Sequence, residues 1–119
     1  MKVITWNILG VSNPRKIKTL RSKLRMEKAT MVLLQETKCS SESMQEIGKR
    51  VWKGDEMIEF DAWGAARRLT ILWQSKEVNL NSFWDTQFFL SIDFQIVNMT
   101  IKGVITNVYD PIFPPKIQT

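Results

Sequence analysis

The sequence predicts an α+β fold that opens as α/β, with one mixed β-sheet and two helices on one face. First, a strand-like, a helix-like and another strand-like segment follow one another within residues 2–36. Second, another helix-like segment ends near Gly54, and the apolar spacing beyond it changes to the alternation typical of strands. Third, 119 residues suit a single domain.

The first strand and helix are marked by residue type and spacing. Residues 2–8, "KVITWNI", are rich in β-branched and aromatic residues, which favours a strand. Asn13 and Pro14 provide an N-cap and a first helical residue. The apolar residues that follow recur on one helix face: Ile17, Leu20 and Leu24.

The second strand and helix follow directly. Residues 30–36, "TMVLLQE", are almost continuously apolar, as expected for a strand covered on both faces. Residues 40–43 hold several serines that can cap a helix, and Ser43 has capping-box spacing to Glu46. The helix stripe consists of Met44, Ile47 and Val51. Gly54 can end this helix.

The second half of the chain predicts strands over "EMIEF", "RLTILWQ" and "FFLSIDFQIV". In the last of these, one predominantly apolar face is formed by Phe88, Leu90, Ile92, Phe94 and Ile96. Asn98 predicts a turn, and residues 101–109 predict its hairpin partner.

Positive charge is concentrated near the N-terminus. The chain carries a net charge of +5, yet residues 1–28 alone hold eight basic residues and one acidic residue. A basic patch of this kind can hold a polyanion such as nucleic acid, without distinguishing DNA from RNA. The candidate nucleic-acid-binding residues are Arg15, Lys16, Lys18, Lys23 and Arg25. The alternative is an ordinary solvated helix face.

Composition also indicates the compartment. The chain has one cysteine, Cys39, which cannot form an internal disulfide and favours a reducing, intracellular setting. A nuclear location is compatible with that setting. No apolar run approaches the ~20 residues of a membrane span, so no membrane partner is predicted.

Two polar residues fall where two predicted parallel strands end. Asn7 follows the first strand and Glu36 the second, so both are expected at the same edge of the sheet. An amide and a carboxylate suit Mg²⁺, which often takes few protein ligands and leaves the rest to water and phosphate. The alternative is that Asn7 caps a turn while Glu36 reaches solvent or pairs with Lys38.

The segments "ITWNI", "VLLQETKCS" and "NVYDP" resemble the N-terminal half of the endonuclease/exonuclease/phosphatase family. Within that family, "NPRK" and "TNVYDP" are most similar to endonuclease domains of plant-type non-LTR retrotransposons, and the abasic-site endonucleases are also related. The resemblance covers residues 1–119. It implies the N-terminal half of a four-layered αββα sandwich and a Mg²⁺-dependent phosphodiesterase that acts on DNA.

The resemblance also assigns roles to individual residues. Glu36 matches the glutamate that binds the catalytic Mg²⁺, and Asn7 matches the asparagine beside it. Tyr109 matches the tyrosine near the scissile phosphate, although without the family resemblance the favoured account is a strand-end aromatic with a polar tip. Gln35 would support Glu36.

Several departures from the family pattern predict an incomplete site. The family mechanism needs an aspartate–asparagine pair and a histidine from the second half of the fold, and this chain has no histidine. Arg67 and Arg68 stand where related sequences have a pair of glycines. Leu9 stands at a position that is often polar, and Asp110 stands where the family usually has glycine. We therefore expect a fragment of a nuclease domain that is inactive alone.

Two other functions remain open. The chain could become an active nuclease when completed by another segment, or it could be a non-catalytic nucleic-acid-binding module that uses helix 14–28. Because half of the family sandwich is missing, a large apolar sheet face is expected to be exposed. That face predicts self-association or docking of a complementing half.

Overall fold

A computed structural model describes residues 1–61, 68–86 and 89–108. In chain order, the described elements are β1 (Val3–Asn7), α1 (Pro14–Glu27), β2 (Met31–Gln35), α2 (Ser41–Val51), β3 (Asp55–Asp61), β4 (Arg68–Gln74), β5 (Val78–Asp85), β6 (Phe89–Ile96) and β7 (Lys102–Val108). Neither α1 nor α2 has the length and apolar character needed to cross a membrane.

Four strands form a mixed sheet in the order β1-β2-β4-β3. The β1–β2 pair is parallel, and the β2–β4 and β3–β4 pairs are antiparallel. Both helices pack on one face of this sheet, against residues such as Val32, Leu34 and Leu72. The predicted α+β class, with a mixed sheet and two helices on one face, is confirmed.

Helix α1 begins at the predicted cap, and α2 begins after Ser40, one of the predicted serine caps. Ser43 lies within α2, so the predicted Ser43–Glu46 capping box is wrong. The Asn13 side chain accepts a hydrogen bond of 2.8 Å from the backbone N–H of Arg15, and Pro14 is the first helical residue. Ser40 accepts one of 3.1 Å from the backbone N–H of Ser43. The predicted apolar stripes of both helices are buried.

A second sheet, of order β5-β6-β7, covers the face of the first sheet that the helices leave free. Leu90 and Ile92 are 0% exposed there, between the sheets. The expectation of a large exposed apolar sheet face is therefore wrong for the face that carries Leu90 and Ile92. The physical reason is that β4 is apolar on both faces, and the chain folds back after Gln74 to cover the second one.

The remaining predictions for this region have mixed outcomes. Asn98 has φ +64° between β6 and β7, which pair as the predicted hairpin. Ile96 is half-buried, and Phe88 lies outside the described residues. Exposed apolar side chains occur instead on the outer face of the second sheet: Trp84, Val104 and Val108.

The offset between the sheets leaves one edge open. Strand β7 packs over β2 and β4, whereas β1 lies at the edge of its sheet. Consequently Thr5 and Asn7, which point to the same side as Gln35, are exposed. The C-terminal ends of the parallel strands are therefore accessible from outside.

Candidate metal and phosphate site

Asn7 and Glu36 are in direct contact at the end of the parallel strand pair. Nδ2 of Asn7 donates a 2.8 Å hydrogen bond to Oε2 of Glu36. Asn7 is in register with Gln35, so Glu36 is the next residue along the adjacent strand. The parallel arrangement thus brings together two residues 29 positions apart.

Backbone hydrogen bonds hold Glu36 in place beyond the end of β2. The N–H of Ile8 donates to the carbonyl of Gln35 at 3.1 Å, and the N–H of Gly10 donates to the carbonyl of Glu36 at 2.8 Å. The parallel pairing therefore continues into the two loops. Gly10 has φ +94°, a conformation that glycine adopts without a side-chain penalty.

Glu36 itself has a left-handed backbone, with φ +55°. For a residue with a side chain this conformation costs about 1–2 kcal/mol relative to the right-handed region. Such strained residues cluster at functional sites, where surrounding bonds impose the conformation. Lys38 also has φ +55°, but its side chain is exposed and has no hydrogen bond to another described residue.

Lys16 joins the start of α1 to the same loop. Its Nζ donates to the carbonyl oxygens of Ile8, at 2.7 Å, and Leu9, at 2.9 Å. The ammonium group thus binds the carbonyls of the two residues that follow Asn7, and it stabilises the loop that begins there. Leu9, which replaces an often polar residue of the family pattern, is 55% exposed with φ +50°.

An amide pair, the buried Asn107 and the half-buried Gln35, connects the two sheets behind this edge. Nε2 of Gln35 donates to Oδ1 of Asn107 at 2.6 Å and to Oγ1 of Thr5 at 3.1 Å. Nδ2 of Asn107 donates to the carbonyls of Leu34 and Thr70, both at 3.0 Å. Gln35, the residue directly before Glu36, is therefore held by a partner on the second sheet.

Sequence reasoning missed Asn107. It is 0% exposed and lies on β7, directly before the last described strand residue, Val108. A polar residue on the inward side of a strand was the available signal, because a buried amide must find hydrogen-bond partners. Those partners belong to β2 and β4, which the β7 sequence does not reveal.

The oxygen atoms at the edge suit a hard cation. Within the described residues, Oε1 of Glu36 accepts no hydrogen bond, and the half-buried carboxylate faces an accessible edge. The described part of the chain holds no cluster of three or more histidine, cysteine, aspartate or glutamate residues with metal-ligand geometry. These groups could hold Mg²⁺ only if water or substrate phosphate completed its coordination, which is common for this ion.

Arg68 enters a polar cluster near the N-terminus of α2. Its Nη1 contacts Oε1 of Glu59 at 2.8 Å, and both side chains are 10% exposed. Oγ of Ser41 donates to the other carboxylate oxygen of Glu59 at 2.8 Å. Arg68 stands where the family pattern has a glycine, and β4 accommodates it in regular register with Asp61 of β3. Arg67 lies outside the described residues.

Cys39 lies beside the same cluster and is half-buried. Burial, and next the negative charge of Glu59, raise the pKa of its thiol. The thiol is consequently a poor nucleophile at neutral pH.

The predicted basic residues do not share one role. Lys16 binds the loop carbonyls, and Lys23 lies 3.6 Å from a carboxylate oxygen of Glu27. Arg15 and Lys18 are exposed, whereas Arg25 belongs to the last turn of α1. Tyr109 and Asp110 fall outside the described residues.

The fold has known counterparts. A Bacteroides thetaiotaomicron endonuclease/exonuclease/phosphatase family protein matches 89% of this chain and 49% of its own, with 10% identity and TM-score 0.69. The match to the Leishmania major AP endonuclease LMAP covers 90% of this chain and 39% of LMAP, with 15% identity and TM-score 0.65. The match to Danio rerio TDP2, complexed with a single-strand DNA product, covers 87% of this chain and 43% of TDP2, with 17% identity and TM-score 0.63.

These similarities define the class of fold. The chain has the partial architecture of endonuclease/exonuclease/phosphatase proteins, and it spans less than half of the length of each of these three structures. No family model matches its sequence, and no curated protein does either.

Proposed function

We propose that this chain is part of a Mg²⁺-dependent phosphodiesterase of the retroelement endonuclease type, with DNA as its substrate. The contact between Asn7 and Glu36 carries the proposal: it lies at the C-terminal edge of a parallel strand pair, in a fold shared with an AP endonuclease. The backbone strain at Glu36 supports the proposal. Glycine fits a left-handed backbone without strain, so the presence of a glutamate there indicates that its carboxylate has a function.

In this proposal each side chain has a distinct role. Glu36 provides the charged metal ligand through the oxygen that Asn7 leaves free, while Asn7 fixes the orientation of the carboxylate. A bound Mg²⁺ would offset negative charge on the phosphate and the leaving oxygen. Tyr109 would donate a hydrogen bond to a non-bridging phosphate oxygen.

The site is incomplete within these 119 residues. No histidine is present, and the described residues hold no group of three or more acidic, histidine or cysteine side chains that could bind a metal with Glu36. Removing members of a cooperating catalytic site costs orders of magnitude in rate. We therefore propose that the 119-residue chain binds the metal but does not cleave DNA, and that a segment equivalent to the other half of the related structures supplies the missing groups.

Metal binding tests the proposal directly. Mn²⁺, used as a paramagnetic probe, is titrated into the protein and free ion is measured by electron paramagnetic resonance. Glu36→Gln should weaken binding by about tenfold or more, and Asn7→Ala by a smaller factor. Glu46→Gln, which removes the same charge from the exposed face of α2, is the matched control. If Glu36→Gln binds Mn²⁺ as well as the unmodified protein, the metal-site proposal is wrong.

Cleavage tests the second part. The purified chain is incubated with supercoiled and with abasic DNA in the presence of Mg²⁺. We expect no products above the level given by Glu36→Gln. Cleavage by the unmodified chain that disappears in Glu36→Gln would show that the site is complete, and would overturn the proposed need for another segment.

A further inference from the structure

A second surface, away from the candidate metal site, brings together five of the chain's 17 basic residues. The C-terminal parts of α1 and α2 enclose a groove of about 750 Å³. Five of its eight lining residues are basic, and none is acidic: Arg21, Arg25, Lys49, Arg50 and Lys53. Two come from α1, and the other three come from the end of α2 and the turn after it, so the run of basic residues near the N-terminus does not by itself reveal the groove.

This groove lies at the opposite end of the helices from Glu36. Helix α1 starts near the end of β1 and finishes near its beginning, where Glu27 pairs with Lys2 at 3.1 Å. Its 14 residues correspond to a length of about 21 Å at 1.5 Å per residue. The groove is therefore separate from the site that Asn7 and Glu36 form.

We propose that this groove binds the phosphodiester backbone of nucleic acid. Basic residues near a helix C-terminus often only balance the helix dipole, so the charges must be compared. Two helix C-termini contribute about −0.5 each, or about −1 together. Five positive side chains exceed that amount several-fold.

The charges of the groove are also largely uncompensated by side chains. Within the described residues none of the five forms an ion pair, whereas Lys2 and Lys23 both pair with Glu27. Lys49 is the partial exception, because it also lies beside Asp55 and lowers the pKa of that carboxyl against the larger effect of burial. Arg25 and Arg50, one from each helix, therefore best represent the site.

The shape and the apolar residues favour nucleic acid over a lipid surface. The volume is typical of concave ligand sites, and guanidinium groups can bind phosphate oxygens in pairs. Leu24 and Val51 are 2% and 5% exposed, so they cannot insert into a bilayer as interfacial helices require. Trp52 packs against the helix-side core. Recognition would therefore depend on backbone charge, independently of base sequence.

Salt-dependent binding tests this proposal without any divalent metal. A short fluorescein-labelled single-stranded DNA is titrated by fluorescence anisotropy at about 50–200 mM salt. In Arg25→Gln/Arg50→Gln, two lost phosphate contacts should reduce the slope of log Kd against log salt by about 1.4 and weaken binding about tenfold at the lowest salt. The control Lys76→Gln/Lys102→Gln loses the same charge at exposed positions outside the groove and should bind normally.

Further variants separate the alternatives. Arg25→Lys/Arg50→Lys keeps the charge and should retain most of the slope, which distinguishes a lost contact from misfolding. An equal loss in the Lys76/Lys102 control would show a diffuse charge effect and overturn the proposal. A larger loss in Arg15→Gln would place binding on the N-terminal part of α1 and also overturn it. Binding to phosphatidylserine vesicles without binding to DNA would do the same. None of these outcomes bears on Mn²⁺ binding at Glu36.

Discussion

Replacing Asn107 by alanine should be far more damaging than its single amide suggests. The side chain donates to two backbone carbonyls of the four-stranded sheet and accepts from Gln35, so it links β7 to β2 and β4. Alanine removes all three hydrogen bonds. It also leaves a small void in a position that is 0% exposed.

The expected loss follows from these contacts. Each hydrogen bond contributes about 0.5–1.5 kcal/mol net, so three together contribute about 3 kcal/mol. Removing a buried amide recovers part of its desolvation cost, whereas the void adds to the loss. We expect a decrease of about 2–4 kcal/mol in the free energy of unfolding. For domains of this size the total is about 5–15 kcal/mol, so the loss is a large fraction of it.

Urea denaturation followed by circular dichroism measures this change. The midpoint should fall, while the slope of free energy against urea stays constant, since the surface exposed on unfolding is nearly unchanged. Asn79→Ala is the matched control, because Asn79 is an exposed strand residue with no hydrogen bond from its side chain to another described residue. Its expected change is within about 0.5 kcal/mol.

The metal site provides a second readout. Without Asn107, Thr5 is the one side-chain partner that Gln35 keeps among the described residues, so the residue next to Glu36 is less well held. Mn²⁺ affinity should fall, by less than in Glu36→Gln. A free energy of unfolding for Asn107→Ala equal to that of Asn79→Ala would refute the inter-sheet role of Asn107.

Three further predictions concern single residues. Lys38→Gly should stabilise the protein by about 0.5–1 kcal/mol in urea denaturation, because glycine relieves the strain of a left-handed backbone at some entropic cost. Mn²⁺ binding should stay unchanged. A loss of stability would contradict the strain at Lys38. Burial raises the pKa of Asp55, so the folded protein holds that proton more tightly and loses stability as the pH rises from about 4 through the folded-state pKa. Asp55→Asn should accordingly be more stable at neutral pH and vary less with pH in urea melts. The Cys39 thiol should react with iodoacetamide at a higher pH than in the urea-unfolded chain, because burial and then Glu59 raise its pKa, and coincident pH profiles would exclude this effect.

The first β–α–β passage was predictable because its signals are local. Asn13 and Pro14 mark the start of α1, and a continuous apolar run marks β2. Once two strands are parallel, the residues that end them must lie at one edge, so the contact of Asn7 with Glu36 follows from strand order. The family resemblance supplied the chemical meaning of that contact.

The second sheet was not predictable in the same way. Strand β5 carries Asn79, Asn81 and Ser82, and its register shifts between Leu80 and Ser82, so no simple alternation marks it. Because β5 was not recognised, the sequence did not indicate that β6 belongs to a second sheet whose apolar face packs on the first. The cover over β4 depends on how two sheets stack, and spacing along one strand contains no information about that.

The sequence by itself determined the helix caps, the parallel strand pair and the positions of Asn7 and Glu36, because each depends on neighbours in the chain or on strand order. Only the tertiary structure decided that the two sheets stack and bury Ile92 between them, and that Asn107 supports Gln35. It also decided that basic residues of two helices meet in one groove. Those features join residues distant in sequence, and packing geometry, rather than local preference, brings such residues together.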